Sequence, residues 1–157
     1  MRRMTLHTAL LLVHLLAAAY WVGGMATVHT VVRPAAVELL TEPPRRLALM
    51  GGVLQRFFLG VTLAIAALLV SGFGMIGLGG GFGAQPLRVH AMTGIALLMM
   101  ALFGHIRVVL FARLQRGVAA SDWPAAGAAL AGIRRLVAVN LALGVLVFAV
   151  ALLGRTL

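Results

Sequence analysis

Apolar residues run along this chain in four long blocks, and the polar residues gather in the gaps between them. From Thr5 to Val32 there is no charged side chain apart from whatever charge histidine carries, and the block is long enough to cross a bilayer with some tilt. The stretch from Arg33-Pro34 to Arg46 holds two of the three acidic residues, Glu38 and Glu42, and the Pro43-Pro44 pair. Prolines of this kind mark helix exits and entries, so the stretch reads as a short polar connection. A second helix is predicted from about Leu47 to Leu78, ending in the glycines Gly79, Gly80, Gly81 and Gly83. That run is a turn and not a phosphate cradle, because neither a strand nor a P-loop lysine accompanies it.

Pro86 restarts the chain, and a third helix is predicted from about Leu87 to Gln115, with a basic end at Arg107, Arg113 and Arg116. Ser121-Asp122-Trp123-Pro124 then offers capping residues just before a proline suited to a first helical turn, so a fourth helix runs from about Pro124 to Gly154. The pattern predicts an all-α fold, an integral membrane four-helix bundle that occupies residues 1–157 as a single transmembrane domain. Three short connections make neighbouring helices antiparallel and leave the first and third parallel. A secretory signal peptide is the rival reading of the first block, with Arg2 and Arg3 ahead of the apolar core and Ala17, Ala18 and Ala19 as a cleavage region. It is disfavoured because the apolar run continues past those alanines and three further spans follow.

Composition agrees with the pattern. Hydrophobic residues make up 62% of the chain, charged residues 10%, and the mean hydropathy is +1.09, more apolar surface than a soluble domain of this size could bury. The formal net charge is +10, from 13 basic residues, all arginine, against three acidic ones. These arginines lie between the apolar blocks and form no continuous stripe with interleaved aromatics, so they point to lipid phosphate and not to nucleic acid. The chain has no cysteine, which excludes disulfides, thiolate metal sites, c-type haem attachment and iron-sulfur clusters.

Ionisable residues inside a span are costly to bury and are therefore the first place to look for chemistry. His7, His14 and His29 fall on the first helix, His90 and His105 on the third, and none on the second or fourth. His14 and His29 are fifteen residues apart, as are His90 and His105. At 1.5 Å per residue each pair spans roughly 22 Å with a rotation of only about 60°, so both members face one side. On parallel helices this allows two stacked bis-histidine sites, His14 with His90 and His29 with His105, each able to hold a b-type haem iron. His7, seven residues before His14 on the same face, is the rival outer ligand. Arg56, Arg107, Arg134 and Arg135 lie toward the inner level, where haem propionates or a quinone head group would suit them, as would lipid phosphate reached by snorkelling. The eight methionines open a second possibility, since thioether and imidazole suit copper, with His90, Met92, Met99 and Met100 on one helix.

The sequence also resembles a known family. His14, Trp21, Gly23-Gly24 and Arg33-Pro34 form the pattern H-x6-W-x-G-G-x8-R-P, which resembles the first helix of the CopD family of copper-resistance membrane proteins. Gln55-Arg56-Phe57, His90, and Arg134-Arg135 to Asn140 are similar in style. The same four-helix core resembles HemJ, a haem-binding membrane protoporphyrinogen oxidase whose third helix carries His followed two positions later by Lys. Here that later position is Met92, which counts against that activity and leaves haem binding open.

The resemblance thus divides between copper handling and haem-linked redox chemistry, and the four histidines at two levels favour the latter. The expectation is a multi-pass protein of the cell's inner (plasma) membrane that binds one or two haem b groups for transmembrane electron transfer or haem-linked redox chemistry, with a cytochrome b-like membrane oxidoreductase as the enzyme class it would fit. A quinone or a redox partner protein would complete the circuit. A copper-handling protein is the alternative, and a structural membrane subunit without cofactor the second alternative. Hydrolytic catalysis is excluded, since no carboxylate lies within the spans. Small residues such as Gly60, Ala64 and Ala67, or Gly127, Ala131 and Gly144, serve helix packing within one chain or in a homo-oligomer.

Topology follows from the arginines. Arg33, Arg45, Arg46, Arg56, Arg107, Arg113, Arg116, Arg134 and Arg135 belong to one side, against Arg2, Arg3, Arg88 and Arg155 on the other, which puts the first and third connections in the cytoplasm and both termini outside. Reporter fusions at Ala84 are expected to read as external and fusions at Ala119 as cytoplasmic. The opposite pattern would reverse the orientation.

Overall fold

The computed structural model describes residues 2–154, and its backbone is helical almost throughout. Helix α1 (Arg2–Thr27) passes through a wide π turn, Val28–Val32, into α2 (Arg33–Leu39). Helix α3 (Pro43–Leu78) and a short 3-10 turn at Phe82–Ala84 lead to α4 (Leu87–His105). A second π turn, Ile106–Leu110, joins α4 to α5 (Phe111–Ala119), and α6 (Trp123–Leu153) completes the chain. Four stretches are long and apolar enough to cross a membrane: Met4–Leu39, Pro43–Leu78, Leu87–Ala119 and Trp123–Leu153. Large apolar side chains such as Leu12, Leu16, Leu59, Leu63, Val70 and Val108 are exposed on their outer surfaces. In water this surface would drive aggregation; in hydrocarbon it is the solvated face. The chain is a multi-pass membrane protein. Arg155 lies outside the described residues, as do the side chains of Arg2 and Arg3.

The first connection is shorter than the sequence pattern suggests. Helix continues through Arg33-Pro34 to Leu39, leaving only residues 40–42 between spans. Pro34 is accommodated because it falls in the first turn of α2, directly after the π turn, where its missing N–H and its ring do not interrupt an α-helical hydrogen bond. The second span likewise begins at Pro43, whose partner Pro44 is again in a first turn. At the other end of the bundle Gly80 and Gly81 take φ of +92° and +86°, a left-handed backbone that closes the turn cheaply only with glycine. The Gln85 amide donates to the carbonyls of Gly79 and Gly81 and holds that turn. Ahead of α6, Asp122 accepts from the Ala125 backbone N–H at 3.0 Å, the cap that the sequence suggests.

Packing pairs the spans unequally. Helix α1 lies along α3, α4 and α5 lie along α6, and α1 also meets α6. The first and third spans therefore touch mainly through long side chains that reach across the middle. There Trp21 packs edge-on to Phe103, Phe103 edge-on to Phe58, and Phe58 edge-on to Phe111, with centroids 5.2 to 6.2 Å apart. Small residues let the backbones close on this cluster: a Cβ at Gly60 would overlap the Tyr20 hydroxyl, and one at Gly24 the Phe57 ring. Gly144 is the corresponding point on α6, where a Cβ would fall 2.7 Å from Val22 Cγ2 and 3.3 Å from the Met99 methyl.

Gly144→Leu is expected to destabilise the bundle by about 1–3 kcal/mol, the usual magnitude of overpacking. Gly94→Leu, at a site with no neighbour within 4 Å of the added Cβ, is expected to leave stability nearly unchanged. Unfolding in detergent would measure both, and equal effects would contradict the packing assigned to Gly144.

Candidate functional site

Hydrocarbon solvates no polar group, so the few polar side chains that face the bundle interior define where chemistry is available. They fall at three depths. Val22 and Met99 both approach Gly144, and this contact sets the relative heights of the first, third and fourth spans.

Toward the glycine-loop end, His14 is half-buried against the second span. Its Nδ1 lies 2.9 Å from Ser71 Oγ, and Ser71, fully buried, donates in turn to the Ala67 carbonyl at 2.5 Å. A serine that gives its proton to that carbonyl can accept from His14 Nδ1–H, and in that tautomer the ring keeps a lone pair on Nε2. An imidazole oriented by a hydrogen bond on one nitrogen and left basic on the other is the usual preparation of a metal ligand. His90 shows the same arrangement, with Nδ1 3.2 Å from the Pro86 carbonyl, though its ring is exposed and lies beside Phe82, centroids 5.8 Å apart. His14 is eight residues from Val22 and His90 nine from Met99, so the two imidazoles share a depth while facing different elements. His7 is exposed.

At mid-depth lie Met25, Met99 and Asn140, with relative exposures of 2%, 3% and 1%. Met99 reaches Gly144 directly; Met25 is three residues from Val22 and Asn140 four from Gly144, both displaced toward the arginine-rich end. The three therefore lie within about one helical turn of one another in depth. Asn140 Oδ1 is buried without a hydrogen-bond partner. An unsatisfied buried amide oxygen costs about 1–3 kcal/mol, so it calls for an explanation other than packing.

At the arginine-rich end a cleft of about 320 Å³ opens between the first span, the start of α3 and the start of α6. His29, Arg33, Arg46 and Arg134 line it among apolar side chains. His105 is exposed on the outer surface of the bundle, although it lies near the depth of His29. Both residues mark a π turn: His29 is inside the first, and His105 immediately precedes the second. Of the other arginines proposed for this level, Arg56 donates to the Gly52 carbonyl of its own helix, and Arg107 lies over the Phe111 ring, 5.3 Å from its centroid. Both are exposed, and neither lines the cleft. Among the described residues no three His, Asp or Glu side chains gather as a metal cluster.

Sequence reasoning did not single out Ser71, Met25 or Asn140 for chemistry, nor Arg33 and Arg46 as parts of a site. Ser71 is the one serine within the spans and Asn140 the one asparagine of the chain, a compositional signal that was available. The cleft was not available, because it depends on where the π turn sends α2.

Four packed apolar spans define a multi-pass, helical-bundle membrane protein. A family model, copper resistance protein D (CopD), matches residues 51–153, more than half of the chain, and the protein belongs to that family. The matched region contains Arg56, His90, Arg134 and Asn140, whereas the first-helix pattern beginning at His14 precedes it. No curated protein and no solved structure matches the chain.

Removing either partner of the His14–Ser71 pair is expected to destabilise the bundle. A double-mutant cycle of His14→Phe and Ser71→Ala is expected to give a coupling of about 0.6 kcal/mol, and up to about 1.7 kcal/mol, as for interhelical hydrogen bonds in other membrane proteins. Additive effects would show that the pair makes no stabilising bond.

Proposed function

We propose that the protein handles copper within the membrane, taking Cu(I) as cargo at the mid-depth layer of Met25, Met99 and Asn140, with His14 and His90 as imidazole ligands toward the glycine-loop end. The observation that carries the reading is the buried, unpartnered Asn140 oxygen at the level of two buried thioethers. Thioether sulfur is a soft donor suited to Cu(I), and a neutral donor set spares the interior any added negative charge. The donor set therefore fits the metal. Family membership points the same way.

A second reading, b-type haem held between the first and third spans for electron transfer, rests on the shared depth of His14 with His90 and of His29 with His105. Two neutral imidazoles fit a haem iron, and haem bound there would supply one-electron redox chemistry. His14 is oriented toward the second span and His105 lies at the outer surface, so holding one iron between the facing pairs requires ring reorientation, whereas the copper reading takes its deep donors from Met25, Met99 and Asn140.

Competition against a chromophoric Cu(I) chelator, on protein purified in detergent, tests the first reading. Wild type is expected to withdraw Cu(I) stoichiometrically. Met25→Leu with Met99→Leu, a nearly volume-conserving change, is expected to weaken binding by roughly tenfold or more while leaving the fold intact. Unchanged affinity would remove the thioethers from the site. A colourless preparation that binds Cu(I) would set the haem reading aside. A Soret band with sharpened α and β bands on reduction, in protein indifferent to Cu(I), would replace copper with haem.

A further inference from the structure

The cleft at the arginine-rich end has a composition that the proposed copper path does not use. His29, Arg33 and Arg46 are half-buried, and they share its walls with Arg134, while apolar side chains including Val28, Leu47, Leu54, Leu130 and Val137 form the rest. No acidic residue lines it. The one ion pair among the described residues, Glu42 with Arg45 at 3.1 Å, is exposed and outside the lining, and the Arg46 guanidinium donates to the Leu40 carbonyl at 3.4 Å. Cationic side chains from three separate elements thus converge beside an apolar wall.

For Arg33 and Arg46, convergence is a product of the backbone. The π turn Val28–Val32 adds a residue to the helical turn, so Arg33 follows Val28 along the same wall and α2 turns its Ala36 and Val37 into the cleft as well. Pro43 and Arg46, in the first turn of α3, line the wall opposite, so the Arg46 side chain faces the cleft across from Arg33. A partly desolvated cluster of this sign is unfavourable alone and favourable around an anion.

We propose that this cleft is a binding site for an anionic membrane phospholipid, its phosphate held by Arg33, Arg46, His29 and Arg134 and an acyl chain laid along the apolar wall. The assignment combines charge complementarity with an opening at the membrane-interface end of the spans, where a headgroup is at hand. A free anion would satisfy the arginines but would leave the apolar wall unmatched. The inference does not depend on copper occupying the mid-depth layer.

Native mass spectrometry of detergent-purified protein with added phosphatidylglycerol or phosphatidylcholine provides the test. Wild type is expected to retain phosphatidylglycerol in preference, at one lipid per chain. Arg33→Gln and Arg134→Gln are each expected to weaken retention about tenfold, the worth of one charge-assisted contact. Arg135→Gln removes the same charge one residue outside the lining and is expected to change nothing. Should Arg33→Gln fail to fold, as judged by size-exclusion chromatography, the comparison of Arg134→Gln with Arg135→Gln decides alone. Equal losses in those two variants, or no preference between the lipids in wild type, would overturn the site. Displacement of the lipid by millimolar inorganic phosphate would assign the arginines to a free anion and overturn the lipid assignment.

Discussion

Every backbone N–H and C=O of this chain that enters hydrocarbon must find its partner within the chain, and the rest of the structure follows from that demand. It makes the spans helical, reduces the non-helical residues to short connections at the two ends, and tolerates proline only where a first turn has no donor to lose. Pro43 and Pro124 occupy such positions, and Pro34 directly follows a π turn. The π turns satisfy the same demand differently, keeping the backbone bonded while changing the direction in which later side chains point.

With backbone groups paired and the outer surface dissolved in lipid, no hydrophobic force presses the spans together. Close packing and interhelical hydrogen bonds remain. The aromatic series Trp21, Phe103, Phe58 and Phe111 supplies the bulk, and Gly24, Gly60 and Gly144 supply the hollows that admit it and its neighbours. This division of labour also fixes the heights of the spans, because Val22 and Met99 must both seat at Gly144. Relative depth, on which any shared ligand would depend, is therefore set by packing and not by the polar residues themselves.

That ordering explains what was legible in the sequence. Spans and connections are written in hydropathy and proline positions, since both act locally, and the depths of the histidines follow from residue counting. The facing of each histidine is not local. His14 turns toward Ser71 because α1 lies along α3, a pairing that no spacing within α1 reveals. His29 lies within one π turn and His105 just before the other, yet one lines a cleft and the other lies at the outer surface. Arg134 and Arg135 are neighbours in sequence, and only the first lines the cleft.

Polar groups placed at successive depths also differ in kind, and the order has a physical sense. The imidazoles of His14 and His90 lie nearest the glycine-loop end, where water is close. The most deeply enclosed donors are thioethers and an amide oxygen, which carry no charge and cost least to enclose. Arg33, Arg46 and Arg134 stay at the opposite rim, where their charge finds phosphate and repels cations arriving from the interior. A cation held at mid-depth would thus meet neutral donors on one side and a positive field on the other, an asymmetry that favours exchange through the imidazole end. The same field would attract a reduced, more negative cofactor toward the arginines. Whichever species occupies the deep layer, the charge distribution of the bundle makes its two ends unequal.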